Sequence, residues 1–131
     1  HRDEEEPRPS QPSHIRLSDD ETLERDTTSL QLHDLGYQVT EADSAAAART
    51  LIHKGLRPDA LVTDHIMENK TGAQLAQELR QRIPKLPVLI ITGYANLTPT
   101  QISSFDVLSK PFRRRDLAYR LAQLLETAGS D

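Results

Sequence analysis

Residues 87–92 read PVLIIT, and the run closes on Gly93. An extended chain with this sequence is apolar on both faces. Such a strand belongs inside a sheet covered on both sides, which is the usual setting of parallel strands. Working outward, ALVT at 60–63 is a second short buried strand and FDVLS at 105–109 a third. HIRLS at 14–18 and YQVTE at 37–41 complete a set of five. Helical patterns lie between them. Thr22–Leu35 carries Leu23, Leu30 and Leu35 on or near one face, with Gly36 as its C′ residue. Ser44 can cap the next helix, which runs through AAAARTLI and stops at Gly55. Gly72–Arg82 turns Leu75, Ala76 and Leu79 inward, and Arg114–Ala128 carries a stripe of Leu117, Leu121, Leu124 and Leu125. Strands alternating with helices predict βαβ units with right-handed crossovers and a parallel α/β sheet covered on both faces.

The chain has 131 residues, a length that suits one domain with a working core. It contains no cysteine, which excludes disulfides and thiolate chemistry. A net charge of −4 supplies no general basic field for nucleic acid, so no nucleic-acid partner is expected. The apolar runs are too short to span a bilayer, and no membrane contact is expected. Residues 1–13, HRDEEEPRPSQPS, hold no aliphatic side chain and three prolines, and read as a tail or linker. The domain is therefore expected over residues 14–128, with 129–131 as a short C-terminal tail.

Ligands of open parallel sheets bind beyond the carboxyl ends of the strands. After the first strand come Asp19, Asp20 and Glu21; the third ends in Asp64, the fourth in Thr92 and Gly93, and the fifth runs into Lys110 and Pro111. Carboxylates gathered at one edge repel one another unless a cation lies between them. An all-oxygen donor set favours a hard ion such as Mg²⁺. A carboxylate can attack phosphorus and form an acyl phosphate, while an ammonium and a hydroxyl bind the remaining phosphoryl oxygens.

These motifs, LSDDE, LVTD, ITGYA and SKPF, together with Met67, Gly72 and the stretch DLGYQVTEADSAAAA, resemble the receiver (response regulator) family across about residues 15–125. The resemblance implies a flavodoxin-like three-layer sandwich with a five-stranded parallel sheet in the order 2-1-3-4-5. It also implies that Asp64 takes a phosphoryl group from phosphohistidine in a two-component phosphorelay, with Mg²⁺-dependent self-phosphorylation from a phosphodonor. By the same resemblance Asp20 and Asp64, with the Ile66 backbone carbonyl, bind Mg²⁺ directly and Asp19 through water. Thr92 and Lys110 contact the phosphoryl group, and the Lys110–Pro111 peptide is cis. The implied partner is a histidine kinase or a histidine phosphotransfer protein, in the cytoplasm. A Pro-rich acidic start and an end soon after the last helix suggest the C-terminal receiver of a hybrid histidine kinase, with a stand-alone regulator next.

Taken singly, each residue has a plainer reading: Asp64 a turn residue, Asp19 an N-cap, Lys110 a solvated lysine, Thr92 a strand residue. His65 reads as a partly exposed loop side chain, and His33 and His53 as helix-surface residues without metal-ligand spacing. Several positions depart from the family pattern. Glu68 stands where proline is usual, Val107 where an aromatic switch residue is common, and Arg16 and Ser18 in a strand that is normally aliphatic. Arg16 needs a partner or a less covered sheet face. The short stretch from Tyr94 to Ser104 predicts a short or irregular helix. These departures support an alternative, a pseudo-receiver acting as an interaction module without phosphorylation. A third reading is an unrelated flavodoxin-like enzyme, for which no substrate-pocket motif is present.

Overall fold

A strand that is apolar on both faces needs a helix layer on each side, and the computed structural model of the chain supplies both. It describes residues 6–9, 13–55, 57–67, 70–93 and 105–129. The elements run β1 (His14–Ser18), α1 (Thr22–Asp34), β2 (Gln38–Ala42), α2 (Ala45–His53), β3 (Ala60–Asp64), α3 (Gly72–Arg82), β4 (Val88–Thr92), β5 (Asp106–Ser109) and α4 (Arg114–Gly129). All pairings are parallel, in the order β2-β1-β3-β4-β5. This is the flavodoxin-like arrangement that the resemblance implies. The helix anticipated between Tyr94 and Ser104 lies outside the described residues, as does Glu68.

The two faces of the sheet sort by the period-2 alternation of the strands. Leu61, Val88 and Ile90 pack with Ala45, Ala48 and Ile52 of α2 and Leu75, Ala76 and Leu79 of α3. Ala60, Val62, Leu89 and Ile91 pack with Leu32 of α1 and Leu117 and Leu121 of α4. Every residue of β3 and β4 is buried, so these strands are the centre of the molecule. Local signals agree with this packing. The Ser44 hydroxyl caps α2 by accepting from the Ala47 amide, and Gly36 and Gly55 take the left-handed conformation that ends α1 and α2.

The inward face of α1 differs from the expectation. Leu23 and Leu30 are 79% and 64% exposed, while Thr28, Ser29 and Leu32 are buried. Residues 23 and 30 are seven apart and share one stripe. Leu35 belongs to the opposite stripe with 28 and 32, which spacings of three and four keep on one side. The leucines misled here, because the buried stripe of this helix includes small polar residues.

Arg16 resolves differently from an exposed charge. It is fully buried, and its Nη1 donates to the Thr40 carbonyl at 3.0 Å. Its Nε and Nη2 have no hydrogen-bond partner among the described residues, and burial pushes its pKa down to about 10. By strand alternation it lies on the α2 side, where the alanines of that helix leave room for a long side chain. Near the amino end, Arg8 donates to the Asp34 carbonyl, and Glu6 pairs with Arg114 at 2.8 Å. Part of the segment read as a tail therefore touches the domain.

Two outcomes are expected. A cation with two unpaired buried donors costs more than an apolar side chain of similar size, so Arg16→Met should raise the unfolding free energy by about 1–3 kcal/mol in urea titrations. Removing residues 1–12 should cost about 1 kcal/mol or less in the same assay, because the described part, residues 6–9, meets the domain through polar pairs at the surface.

Candidate functional site

Parallel pairing brings the carboxyl ends of the strands to one edge, and the ladder carries the site residues with it. β3 pairs with β4 so that Asp64 lies beside Ile91, and β4 pairs with β5 so that Thr92 lies beside Ser109. The ladder continues one step past each strand: the His65 amide donates to the Ile91 carbonyl at 2.9 Å and the Lys110 amide to the Thr92 carbonyl at 2.9 Å. On the other side of β3, the Asp19 amide donates to the Ala42 carbonyl at 3.1 Å. Asp19, Asp20, Asp64, Thr92 and Lys110 thus line one cleft, together with Glu24, Ile66 and Met67. The Lys110–Pro111 peptide is cis, as the resemblance implies.

The central contact is between Lys110 and Asp64. The ammonium Nζ lies 2.7 Å from Asp64 Oδ1, with the Asp64 side chain only 8% exposed. The same ammonium donates to Glu24 Oε1 at 2.9 Å. Asp19, Glu24 and Asp64 each bring a carboxylate oxygen within 4.8 Å of the others. Asp20 lines the cleft, but this tightest trio contains Glu24 in its place. Sequence reading missed Glu24. The available signal was its position: α1 starts at Thr22, directly after the acidic cluster, so the first turn faces the same strand edge.

Asp19 does not cap α1. The N-cap is Glu21, which forms no side-chain cap, and Asp19 Oδ1 instead accepts from the Glu21 amide at 2.9 Å. Arg25 holds this corner by donating to the Asp19 carbonyl at 2.8 Å and pairing with Glu41 at 3.2 Å.

Burial sets the electrostatics, and neighbouring charges adjust it. Burial, reinforced by Asp64 and Glu24 and partly offset by the Glu21 amide, pushes Asp19 up to about 7. Burial also raises Asp64; the hydrogen bond and charge of Lys110 oppose it, while Glu24 and Asp20 add to it. Burial pulls Lys110 down, but its bonds to Asp64 and Glu24 outweigh that and leave it above its ordinary value. Carboxylates buried side by side and inclined to hold a proton are the donor set that a hard divalent cation relieves. The residues present therefore fit Mg²⁺.

The loop after Asp64 is shaped by close approach. The Gly72 amide donates to the His65 carbonyl at 2.8 Å. A Cβ on Gly72 would sit 2.4 Å from the Asp64 carbonyl oxygen and 3.1 Å from His65 Cα. Gly72 opens α3 behind a capping box formed by Thr71 and Gln74. Thr63 Oγ1 donates to the Asp64 carbonyl at 2.9 Å, and Met67 is buried beside it. His65 corrects the expectation of a partly exposed side chain: it is 2% exposed, and burial lowers its pKa against the opposing charge of Asp64. The bond from the Gly72 amide to the His65 carbonyl holds the start of α3 against this residue. His33 and His53 lie on helix surfaces as expected. Among the described residues, no helix is long and apolar enough to cross a membrane.

Comparison with known proteins agrees with this geometry. The family model described as the response regulator receiver domain matches residues 15–122. The response regulator receiver protein CpdR of Brucella abortus is 34% identical over 119 residues, covering 87% of this chain and 98% of that protein. The response regulator MprA of a Mycobacterium species is 30% identical, covering 92% of this chain and 54% of its own length. This chain spans about half the length of several such relatives. A response regulator receiver protein from Sinorhizobium medicae, known by crystal structure, superposes with a TM-score of 0.82 at 30% identity, covering 90% of this chain and 98% of that one.

Replacing Gly72 by alanine should be felt at Asp64. The added methyl meets main chain and cannot be relieved by a rotamer change, so Gly72→Ala should cost about 1–3 kcal/mol in urea unfolding. It should also shift the Asp64 and His65 amide resonances more than those of β1.

Proposed function

The chain belongs to the response regulator receiver family, and from that premise we propose that Asp64 accepts a phosphoryl group from a phosphohistidine and carries it as an aspartyl phosphate. The observation that supports this most directly is the 2.7 Å contact of Lys110 Nζ with a nearly buried Asp64 Oδ1 at the strand-end cleft. The lysine occupies one carboxylate oxygen and leaves the other to attack. In the transfer, a bond forms between that oxygen and phosphorus as the P–N bond of the donor breaks. The electron pair of the broken bond stays with the imidazole nitrogen, which is then protonated from solvent.

Lys110 and Thr92 lie where they can serve the product: the ammonium balances charge on the phosphoryl oxygens, and the hydroxyl donates one hydrogen bond. Asp19, Asp20, Asp64 and the Ile66 carbonyl would hold Mg²⁺. When bound, the ion offsets negative charge on the transferring group. The modification adds roughly one to two negative charges beside Thr92, enough to bias a neighbouring loop. The natural donor would be a histidine kinase or a histidine phosphotransfer protein. The pseudo-receiver reading shares the fold but lacks the transfer.

Incubation with Mg²⁺ and acetyl phosphate should add one acid-stable, base-labile phosphoryl group by mass spectrometry. Asp64→Asn should abolish the adduct, because an amide oxygen is a poor nucleophile at phosphorus. Thr92→Ala should destabilise the adduct by on the order of 1 kcal/mol through removal of one hydrogen bond. Lys110→Ala should leave some labelling. Asp20→Asn should weaken Mg²⁺ binding followed by amide shifts. No adduct under conditions that label a known receiver would favour the interaction-module reading, and an adduct that survives Asp64→Asn would place the acceptor elsewhere.

A further inference from the structure

Glu24 is the acidic residue of the site that no motif brings in. It sits in the first turn of α1, and its Oε1 accepts from Lys110 Nζ at 2.9 Å across 86 residues of chain. The lysine divides its donors between Glu24 and Asp64 Oδ1, the latter at 2.7 Å. An ammonium has three donors and no acceptor, so one lysine can satisfy both carboxylates at once. The two are unequal in freedom: the Glu24 side chain is 43% exposed and that of Asp64 is 8% exposed. Glu24 can therefore turn to solvent, whereas Asp64 cannot.

A phosphoryl group on Asp64 brings three acceptor oxygens and adds roughly one to two negative charges at this spot. It needs the ammonium that Glu24 holds, and the Glu24 carboxylate is a like charge next to it. We propose that Glu24 is a positioning residue for Lys110: it shares the ammonium with Asp64 in the unmodified protein and gives it up when Asp64 is phosphorylated. Glu24 thereby weighs against the modified state and shortens its occupancy. This inference rests on Asp64 being the phosphoacceptor.

The experiment uses beryllofluoride, a stable stand-in for the phosphoryl group, with the whole chain at saturating Mg²⁺. Glu24→Gln keeps the length and helix propensity of the side chain and removes its charge. Its beryllofluoride dissociation constant, followed by amide shifts, should fall about two- to five-fold, the range of a partly exposed ion pair. Lys110 is one of four lysines, so its side-chain carbon signal can be followed individually. That signal should differ between wild type and Glu24→Gln in the unmodified protein and coincide once beryllofluoride is bound, because residue 24 no longer touches the ammonium. Glu24→Ala should behave like Glu24→Gln, which separates the charge effect from altered packing. Equal or weaker beryllofluoride binding in both variants overturns the inference and leaves Asp64 as acceptor; weaker binding would make Glu24 a ligand of the cation. A Lys110 signal unchanged by Glu24→Gln before modification overturns it as well. Wild-type protein that binds no beryllofluoride would overturn both this inference and the phosphoacceptor reading.

Discussion

The parallel pairing of β3 between β1 and β4 is the constraint from which the site follows. When strands run the same way, their carboxyl ends emerge at one edge, and whatever the chain places there is brought together. Asp19, Asp64, Thr92 and Lys110 are far apart in sequence, yet each is the residue at or just past a strand end. The ladder bonds from Lys110 to Thr92 and from His65 to Ile91 extend the sheet past its formal ends. Asp64 and Thr92 are thus held by main-chain geometry on the two fully buried strands, and Asp19 and Lys110 on the strands that flank them. A site built this way needs no long loop to preorganise it.

That placement has an electrostatic consequence. Burial alone would favour neutral carboxyls, and Asp19 is pushed up to about 7 by it, with Asp64 and Glu24 adding to the effect. Lys110 is the cation in contact with Asp64 and Glu24, and its bonds to both keep it charged. The arrangement is poised: more negative charge than one lysine can balance, in a cleft open to solvent. A divalent ion at this edge would relieve that imbalance, and under the proposed transfer an incoming phosphoryl group would change how the lysine is shared.

Much of this was legible in the residues. PVLIIT and ALVT read as buried strands, and the strand-end acids, threonine and lysine followed in order. What was not legible has physical reasons. On α1 the leucines suggested the wrong inward face, since Leu23 and Leu30 are exposed and Thr28 and Ser29 are buried. Burial there is decided by where β1 and β2 hold the helix, which helical periodicity alone does not report. His65 was read as a partly exposed loop side chain because the receiver family accepts many residues at that position. It is buried, with the start of α3 held close to its backbone at Gly72. Arg16 looked like a charge in need of an escape, and it has a single carbonyl of β2 and an alanine-lined helix above it.

Glu24 shows the limit most clearly. Motifs are read at strand ends, because the sheet rules say that ligands gather there. A helix that begins directly after such an end also presents its first turn to the same edge, and its residues escape a strand-based reading. The first turn is favourable for a carboxylate, since the helix dipole is positive there. The third residue of α1 therefore reaches the lysine that follows β5. In a doubly wound sheet, the functional edge is made of strand ends and helix beginnings together. An acidic or basic residue in an early helical turn has the same claim on the site as one that ends a strand.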